Sequence, residues 1–273
     1  MFVSVYCSVL TVFMLVSSGN SAPAVGHTQD NEEDSLDAPS YLAEFGYLPP
    51  SDPNGPSQII AAETLAKAIR EFQTFMGLEE TGVLDRETKK LMKKPRCGIK
   101  DQPTINGPSS YKLTGSKWKT NTLSYKITKY PDDFPRDETD RTIKEAFQVW
   151  SRVTPLKFIR KTRGNVHIEI KFARGRHGSC EPFKGPLGVL AHAFDPISGG
   201  DIHFDDSEPW TINTYEGVNL LLTAAHEIGH ALGLEHSKYK NALMYAYAQG
   251  YDPNFRLSND DIRAIQRLYP NQS

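Results

Sequence analysis

Hydrophobic spacing divides the chain into stretches of different character. Phe2 to Val16 is almost continuously apolar, and small residues follow it to Ala22-Pro23-Ala24. A bilayer core asks for about 20 apolar residues, so this run is short for a span. With a small-residue cleavage pattern behind it, residues 1–24 read as a secretory signal, although the segment before the apolar run has no Lys or Arg. Residues 25–40 are polar and acidic without periodicity, the composition of a disordered segment. A helical period then takes over: Ile60, Leu65, Ala68, Ile69, Phe72 and Phe75 share one face across residues 57–77. Thr81-Gly82 makes a turn, Asp85 caps a second helix through Met92, and Pro95 stops it. Residues 41–101 thus form a small all-α unit. The Pro-, Gly-, Ser- and Thr-rich stretch 102–117 is an exposed linker open to proteolysis.

Past Trp118 the period changes to two. Leu123–Thr128 and Leu156–Arg160 read as strands, as do Ile168, Ile170 and Phe172, then Val189–Phe194 and Ile202–Phe204. Between the first two, residues 137–151 form an amphipathic helix with Ile143, Ala146, Phe147 and Trp150 on one face. Asn219 to Gly233 reads as a buried helix. Ser258-Asn259-Asp260-Asp261 opens a last helix with Ile262, Ile265 and Leu268 turned inward. Strands followed by helices give an α+β domain over residues 118–273.

The 273 residues are 38% apolar and 23% charged, with a net charge of −2, which gives no electrostatic case for a nucleic-acid or anionic-membrane partner. No second long apolar run follows the first, and the chain ends in polar Asn271-Gln272-Ser273, so neither a membrane span nor a lipid-anchor signal is expected. Cys7 leaves with the signal. Cys97 and Cys180 remain in an oxidising compartment, where a disulfide is the plain expectation.

The chemistry concentrates in HEIGHALGLEH, His226 to His236. On a helix, His226 and His230 stand one turn apart on one face and reach one metal. Gly233 tolerates a positive φ, so the chain turns back and brings His236 to the same ion. Three neutral imidazoles suit zinc and leave a fourth position for water. Glu227 projects beside the metal, takes the proton of that water as it attacks a peptide carbonyl, and passes it to the leaving amine. Chance gives such a pattern in on the order of 10⁻⁵ of chains of this composition, so the signal is specific.

The zinc motif followed by Met244 resembles the metzincins, and the spacing to Met244 and Ser237 resembles the matrix metalloproteinases. That resemblance implies a metzincin-type catalytic domain, a mixed twisted sheet plus three helices, behind a small helical prodomain. It also implies that Met244 forms an apolar floor under the zinc. PRCGIKD, Pro95 to Asp101, resembles the family's cysteine switch PRCGVPD. The implication is that Cys97 fills the fourth zinc position in a latent zymogen, with Arg96 paired to Asp101. Lys100 replaces the motif's second Pro. Activation then requires a cut in the linker, near Tyr111 by analogy, and no furin-type basic run is present.

Residues 174–208 resemble the family's structural-metal segment. His177, His192 and His203 match three ligands of a structural zinc, but Ser179 stands where the fourth, an Asp, is expected. Cys180 or Glu181 is near enough to substitute. Lys184 replaces a calcium-binding carboxylate, with Asp205 and Glu208 matching the rest of that site, so a salt bridge from Lys184 to them is expected in place of the ion. Asp201 matches a second calcium site whose partner position holds His167. Leu222 matches the main specificity pocket, and Tyr247 is expected to line its wall, which implies large apolar side chains after the scissile bond. The layout is matrilysin-like, without a hemopexin-like domain. Taken together, the resemblance implies a secreted, extracellular, monomeric zinc endopeptidase that cleaves non-helical matrix or secreted proteins and is inhibited by its own prodomain. The rival readings are a catalytically dead metal-binding protein and a binding module, since residues 41–92 resemble peptidoglycan-binding-like helical prodomains.

Overall fold

The computed structural model describes residues 36–49, 60–101 and 115–271. The expected signal, most of the acidic stretch and nearly all of the expected linker lie outside them. Three helices come first: α1 (Ala38–Glu44), α2 (Ala62–Met76) and α3 (Arg86–Met92). The first corrects the expectation of disorder up to residue 40. The Asp37 side chain accepts from the Ser40 N–H as an N-cap, Pro39 sits in the first turn, and Leu42 behind it is fully buried. One buried side chain, Gln73 of α2, organises the turn into α3. Its amide N–H group donates to Thr81 Oγ1, Val83 O and Thr88 Oγ1, and its oxygen accepts from Gly82 N. The three helices share a core of Leu42, Phe45, Tyr47, Ile69, Phe72 and Met76 that continues into Tyr245, Ala246 and Tyr247.

Six strands form a mixed sheet: β1 (Arg96–Cys97), β2 (Thr122–Lys129), β3 (Lys157–Arg160), β4 (Ile168–Ala173), β5 (Val189–Ala193) and β6 (Ile202–Asp205), in the order β1-β5-β6-β4-β2-β3. Every neighbouring pair is parallel except β5 and β6. The period-two reading is visible in β4, where Ile168, Ile170 and Phe172 are fully buried. A short pair, β7 (Trp210–Thr211) with β8 (Val218–Asn219), was not foreseen, and neither was β1. Two residues of strand are held by their neighbours rather than by any periodicity of their own.

α4 (Arg136–Ser151) packs on the sheet and on α5 (Leu220–Ala231) through Ile143, Ala146, Phe147 and Trp150. α5 is buried on nearly every side, which is why its sequence shows no polar face. Asn219 caps it by accepting from Leu222 N, and the Trp150 indole N–H donates to Ala225 O at 2.8 Å. The last helix, α6 (Asn259–Leu268), begins with a full capping box between Ser258 and Asp261. The result is an α+β fold in which a mixed sheet and three helices follow the helical N-terminal stretch. Among the described residues no helix is long and apolar enough to cross a membrane.

Candidate metal centre

α5 carries His226 and His230 one turn apart, and the chain leaves it at Gly233. That glycine has φ 103°, and the Ser116 carbonyl presses where a Cβ would stand, so the position excludes any other residue. The turn brings His236 back to the same spot. One ligand atom from each of Cys97, His226, His230 and His236 lies within 4.8 Å of the others, and all four residues are buried.

The outward ring nitrogens are each engaged. His226 Nδ1–H donates to Leu243 O at 2.7 Å and His230 Nδ1–H to Leu234 O at 2.8 Å, while His236 Nδ1 lies 2.7 Å from Asp101 Oδ1. Carbonyl and carboxylate oxygens only accept, so the protons sit on Nδ1 and the Nε2 lone pairs face inward. His226 Nε2 and His230 Nε2 then meet at 3.1 Å with no proton between them, and His236 Nε2 is buried without a hydrogen-bond partner. Facing lone pairs repel; a cation between them turns the repulsion into attraction. Three imidazoles and a thiol are a donor set for tetrahedral zinc, and the residues present fit it.

Burial, aided by the neighbouring His236, pulls the His226 pKa down to about 3, and burial holds His230 well below its ordinary value. Both are neutral ligands at physiological pH. Glu227 is fully buried beside the Cys97 thiol, which hydrogen-bonds to it, and burial outweighs that bond and pushes its pKa up to about 8. The Cys97 thiol is likewise driven up by burial and by Glu227. A dication among these groups inverts that field and favours the ionised carboxylate and thiolate.

Beneath them, Met244 is buried against Gly229 of α5, where a Cβ would strike its sulfur. The Asp261 carboxylate fixes this turn by accepting from Leu243 N at 2.9 Å and Met244 N at 3.1 Å. Since Leu243 O receives the His226 proton, α6 orients a candidate ligand through one residue. The sequence reading saw only a helix cap at Asp261, and nothing in the local pattern signals its second task.

Cys97 reaches the histidines because β1 is clasped from both sides. Arg96 N donates to Gly188 O and Gly98 N to Ala191 O along β5, while Cys97 N donates to Ala246 O and Ala248 N to Pro95 O on the opposite wall. Arg96 is buried, pairs with Asp101 at 2.8 Å and lies over the Phe45 ring at 3.6 Å. Asp101 was read as the partner of Arg96 alone; it also orients His236. Leu222, Tyr247, Glu227 and Cys97 all line one cavity of about 20 Å³. That is room for about one water.

Residues 117–270 match the family described as Matrixin. This chain belongs to the matrixin family. The matrixin is 43% identical over 246 residues to matrix metalloproteinase-16 of Mus musculus, covering 84% of this chain and 40% of that protein. It is 49% identical over 210 residues to stromelysin-1 of Mus musculus, covering 75% of the chain and 43% of that protein. With matrix metalloproteinase-20 of Homo sapiens the identity is 45% over 213 residues, covering 76% and 43%. The chain therefore spans about two fifths of the length of these relatives. Residues 31–92 separately match the family described as a peptidoglycan binding domain.

The matrixin has a second cluster, in which His177, Cys180, His192 and His203 bring one ligand atom each within 4.8 Å. Cys97 and Cys180 are free thiols in different clusters, so the disulfide between them does not form. The expected bridge from Lys184 to Asp205 and Glu208 is also absent: the Lys184 ammonium pairs with Glu44 of α1 at 2.8 Å. Glu208 turns to the backbone instead, accepting from Leu187 N, and burial with Asp205 beside it pushes its pKa up to about 7. Asp201 accepts from Glu169 N at 2.9 Å.

Proposed function

We propose that this matrixin is the latent precursor of a secreted zinc endopeptidase, with residues 41–101 as the inhibitory prodomain and 102–117 as the segment whose cleavage activates it. One observation carries the reading. Three inward-facing imidazole lone pairs and a thiol converge, with the buried Glu227 carboxylate beside that thiol. A zinc ion held by His226, His230 and His236 supplies Lewis acidity, polarising a peptide carbonyl and acidifying water. Glu227 accepts the water proton and returns it to the leaving amine nitrogen, a role worth roughly 10²–10⁴-fold in rate. In the precursor Cys97 would complete the donor set for that ion and keep water out. With β1 gone, the edge of β5 and the wall at Ala246 and Ala248 offer the same backbone donors and acceptors to an extended substrate. Leu222 and Tyr247 line the pocket beside Glu227; in the uncut chain it has room for about one water, so a large apolar side chain enters only if the pocket opens when the Cys97 strand leaves.

His177, His192 and His203 hold a structural zinc. Calcium at Asp201, Asp205 and Glu208 is a weaker part of the reading, because Lys184 brings an ammonium to that loop. Substrates are extracellular matrix or other secreted proteins, and the enzyme works as a monomer.

The test is a quenched fluorescent peptide with a large apolar residue after its central bond, incubated with the full chain before and after limited proteolysis within residues 102–117. Hydrolysis is expected only after the cut, is abolished by a zinc chelator, and falls at least 10²-fold in Glu227→Ala. Chelator-resistant hydrolysis, or an uncut chain as active as the cut one, overturns the proposal.

A further inference from the structure

The second cluster differs from the pattern that the sequence resembles at one ligand, and the geometry there is specific. Three histidines converge from separate elements. His192 lies on β5 and His203 on β6, paired directly across the antiparallel ladder, and His177 comes from the loop after β4. His177 Nδ1 lies 2.6 Å from Gly175 O, an acceptor only, so its proton is there and its Nε2 lone pair faces His192 Nε2 at 3.4 Å. His192 Nε2 is 2.9 Å from His203 Nδ1, and Cys180 Sγ is 3.5 Å from the same nitrogen. Phe183 stacks on the His177 ring at 4.2 Å and holds it in place. Ser179 and Glu181, the residues on either side of Cys180, are exposed and outside the cluster.

We infer that Cys180 is the fourth ligand of the structural metal, closing a Cys–His₃ zinc site in place of a carboxylate. The inference rests on the reading of His177, His192 and His203 as metal-binding. A thiolate is a softer and more covalent donor than a carboxylate, so the site favours zinc, cadmium or cobalt over calcium and magnesium. Three neutral imidazoles and one thiolate leave the zinc site with a single net positive charge, and no open position remains for water. The consequence reaches the cleft. β5 carries His192 and also the Ala191 carbonyl that holds Gly98, so a metal at this site stiffens the strand on which the leader docks.

The experiment uses the full chain carrying Glu227→Ala, to prevent self-cleavage, and Cys97→Ser, to remove the other thiolate. Loaded with cobalt, this protein is expected to bind two ions per chain and to show a thiolate-to-cobalt charge-transfer band of one sulfur. Adding Cys180→Ser removes the band, and adding Cys180→Asp removes it while keeping two ions. Bound metal is further expected to shield Cys180 from iodoacetamide, read by mass, with labelling restored by EDTA; this measurement stands even where a Cys180 variant fails to fold. Two bound ions with no band, or a band that survives Cys180→Ser, overturns the assignment of Cys180 alone. Only one ion per chain overturns the three-histidine reading beneath it.

Discussion

A single carboxylate, that of Asp101, joins the two halves of the metal centre. It accepts from the Arg96 guanidinium at 2.8 Å and from His236 Nδ1 at 2.7 Å, and it is fully buried. Residues 96–101 therefore contribute two groups to the candidate site, the Cys97 thiol and a carboxylate behind the His236 imidazole. Burial alone raises the Asp101 pKa, but Arg96 and then His236 outweigh it and bring the value down to about 2. A carboxylate with a depressed pKa adds stability above its unfolded value and loses it as pH falls through the folded one. Against an ordinary value of 3.8 the contribution is about 2 kcal/mol, complete at pH 5 and lost between about pH 4 and 2. Reaction of the Cys97 thiol with dithiodipyridine, a disulfide reagent that works in acid, is expected in the uncut chain to stay slow at pH 5 and to accelerate near pH 3. Asp101→Asn leaves the Arg96 charge buried without a counter-charge, a loss of about 3–5 kcal/mol. That variant is expected to label rapidly already at pH 7 and to process itself. Slow labelling of Asp101→Asn at pH 7 would show that the thiol alone holds the leader.

At the scale of elements, the leader works as a strand. β1 runs parallel to β5, and its approach is set by Gly98, where an added Cβ falls 2.6 Å from Val189 Cγ1. Gly98→Ala forces the leader off the β5 edge. Overpacking of this kind costs about 1–3 kcal/mol, so the open fraction of the uncut chain rises roughly tenfold or more. The obstacle is one methyl group, and Val189→Ala removes it. The double variant is expected to recover most of the latency, measured as residual peptidase activity before any cut. No recovery would place the strain in the backbone instead. Periodicity revealed α2, α4, α6 and β4 because each buries one face. It missed β1, whose two residues owe their form to the walls around them. The convergence of the three histidines was legible because one helical turn and the reversal at Gly233 bring them together. The carbonyls of Leu234 and Leu243 that fix the imidazole tautomers were not legible, since a backbone acceptor leaves no trace in residue type. Nor was the second contact of Asp101, which requires the fold to bring residues 101 and 236 together.

Across the whole molecule, an exposed ion pair links the helical N-terminal stretch to the loop between β4 and β5. Lys184, at a position that resembles a calcium-binding carboxylate, pairs with Glu44 at 2.8 Å, but its side chain is 70% exposed. An exposed pair is worth less than about 1 kcal/mol and is screened by salt, so it adds little to a leader already held by Arg96 and β1. The carboxylates left behind are under more tension. Asp205 Oδ2 is buried without a hydrogen-bond partner, and the Glu208 pKa is raised to about 7. A carboxylate with a raised pKa favours the folded state below its unfolded value and loses that advantage as pH rises through the folded one, so charging Glu208 destabilises the protein between about pH 5 and 8. Lys184→Asp supplies a third carboxylate and removes the opposing ammonium. In a Glu227→Ala background this variant is expected to be less stable than its parent without calcium. It should gain about 1.4 kcal/mol when calcium reaches tenfold its dissociation constant. For a domain of this size that is about 3–6 °C in the thermal midpoint, and the gain should be larger at pH 8 than at pH 5, where Glu208 is protonated. The parent, with Lys184 in place, is expected to shift by less than half as much. Equal calcium shifts in the two proteins would mean that the ammonium does not guard this loop, and that the ion binds elsewhere on the molecule.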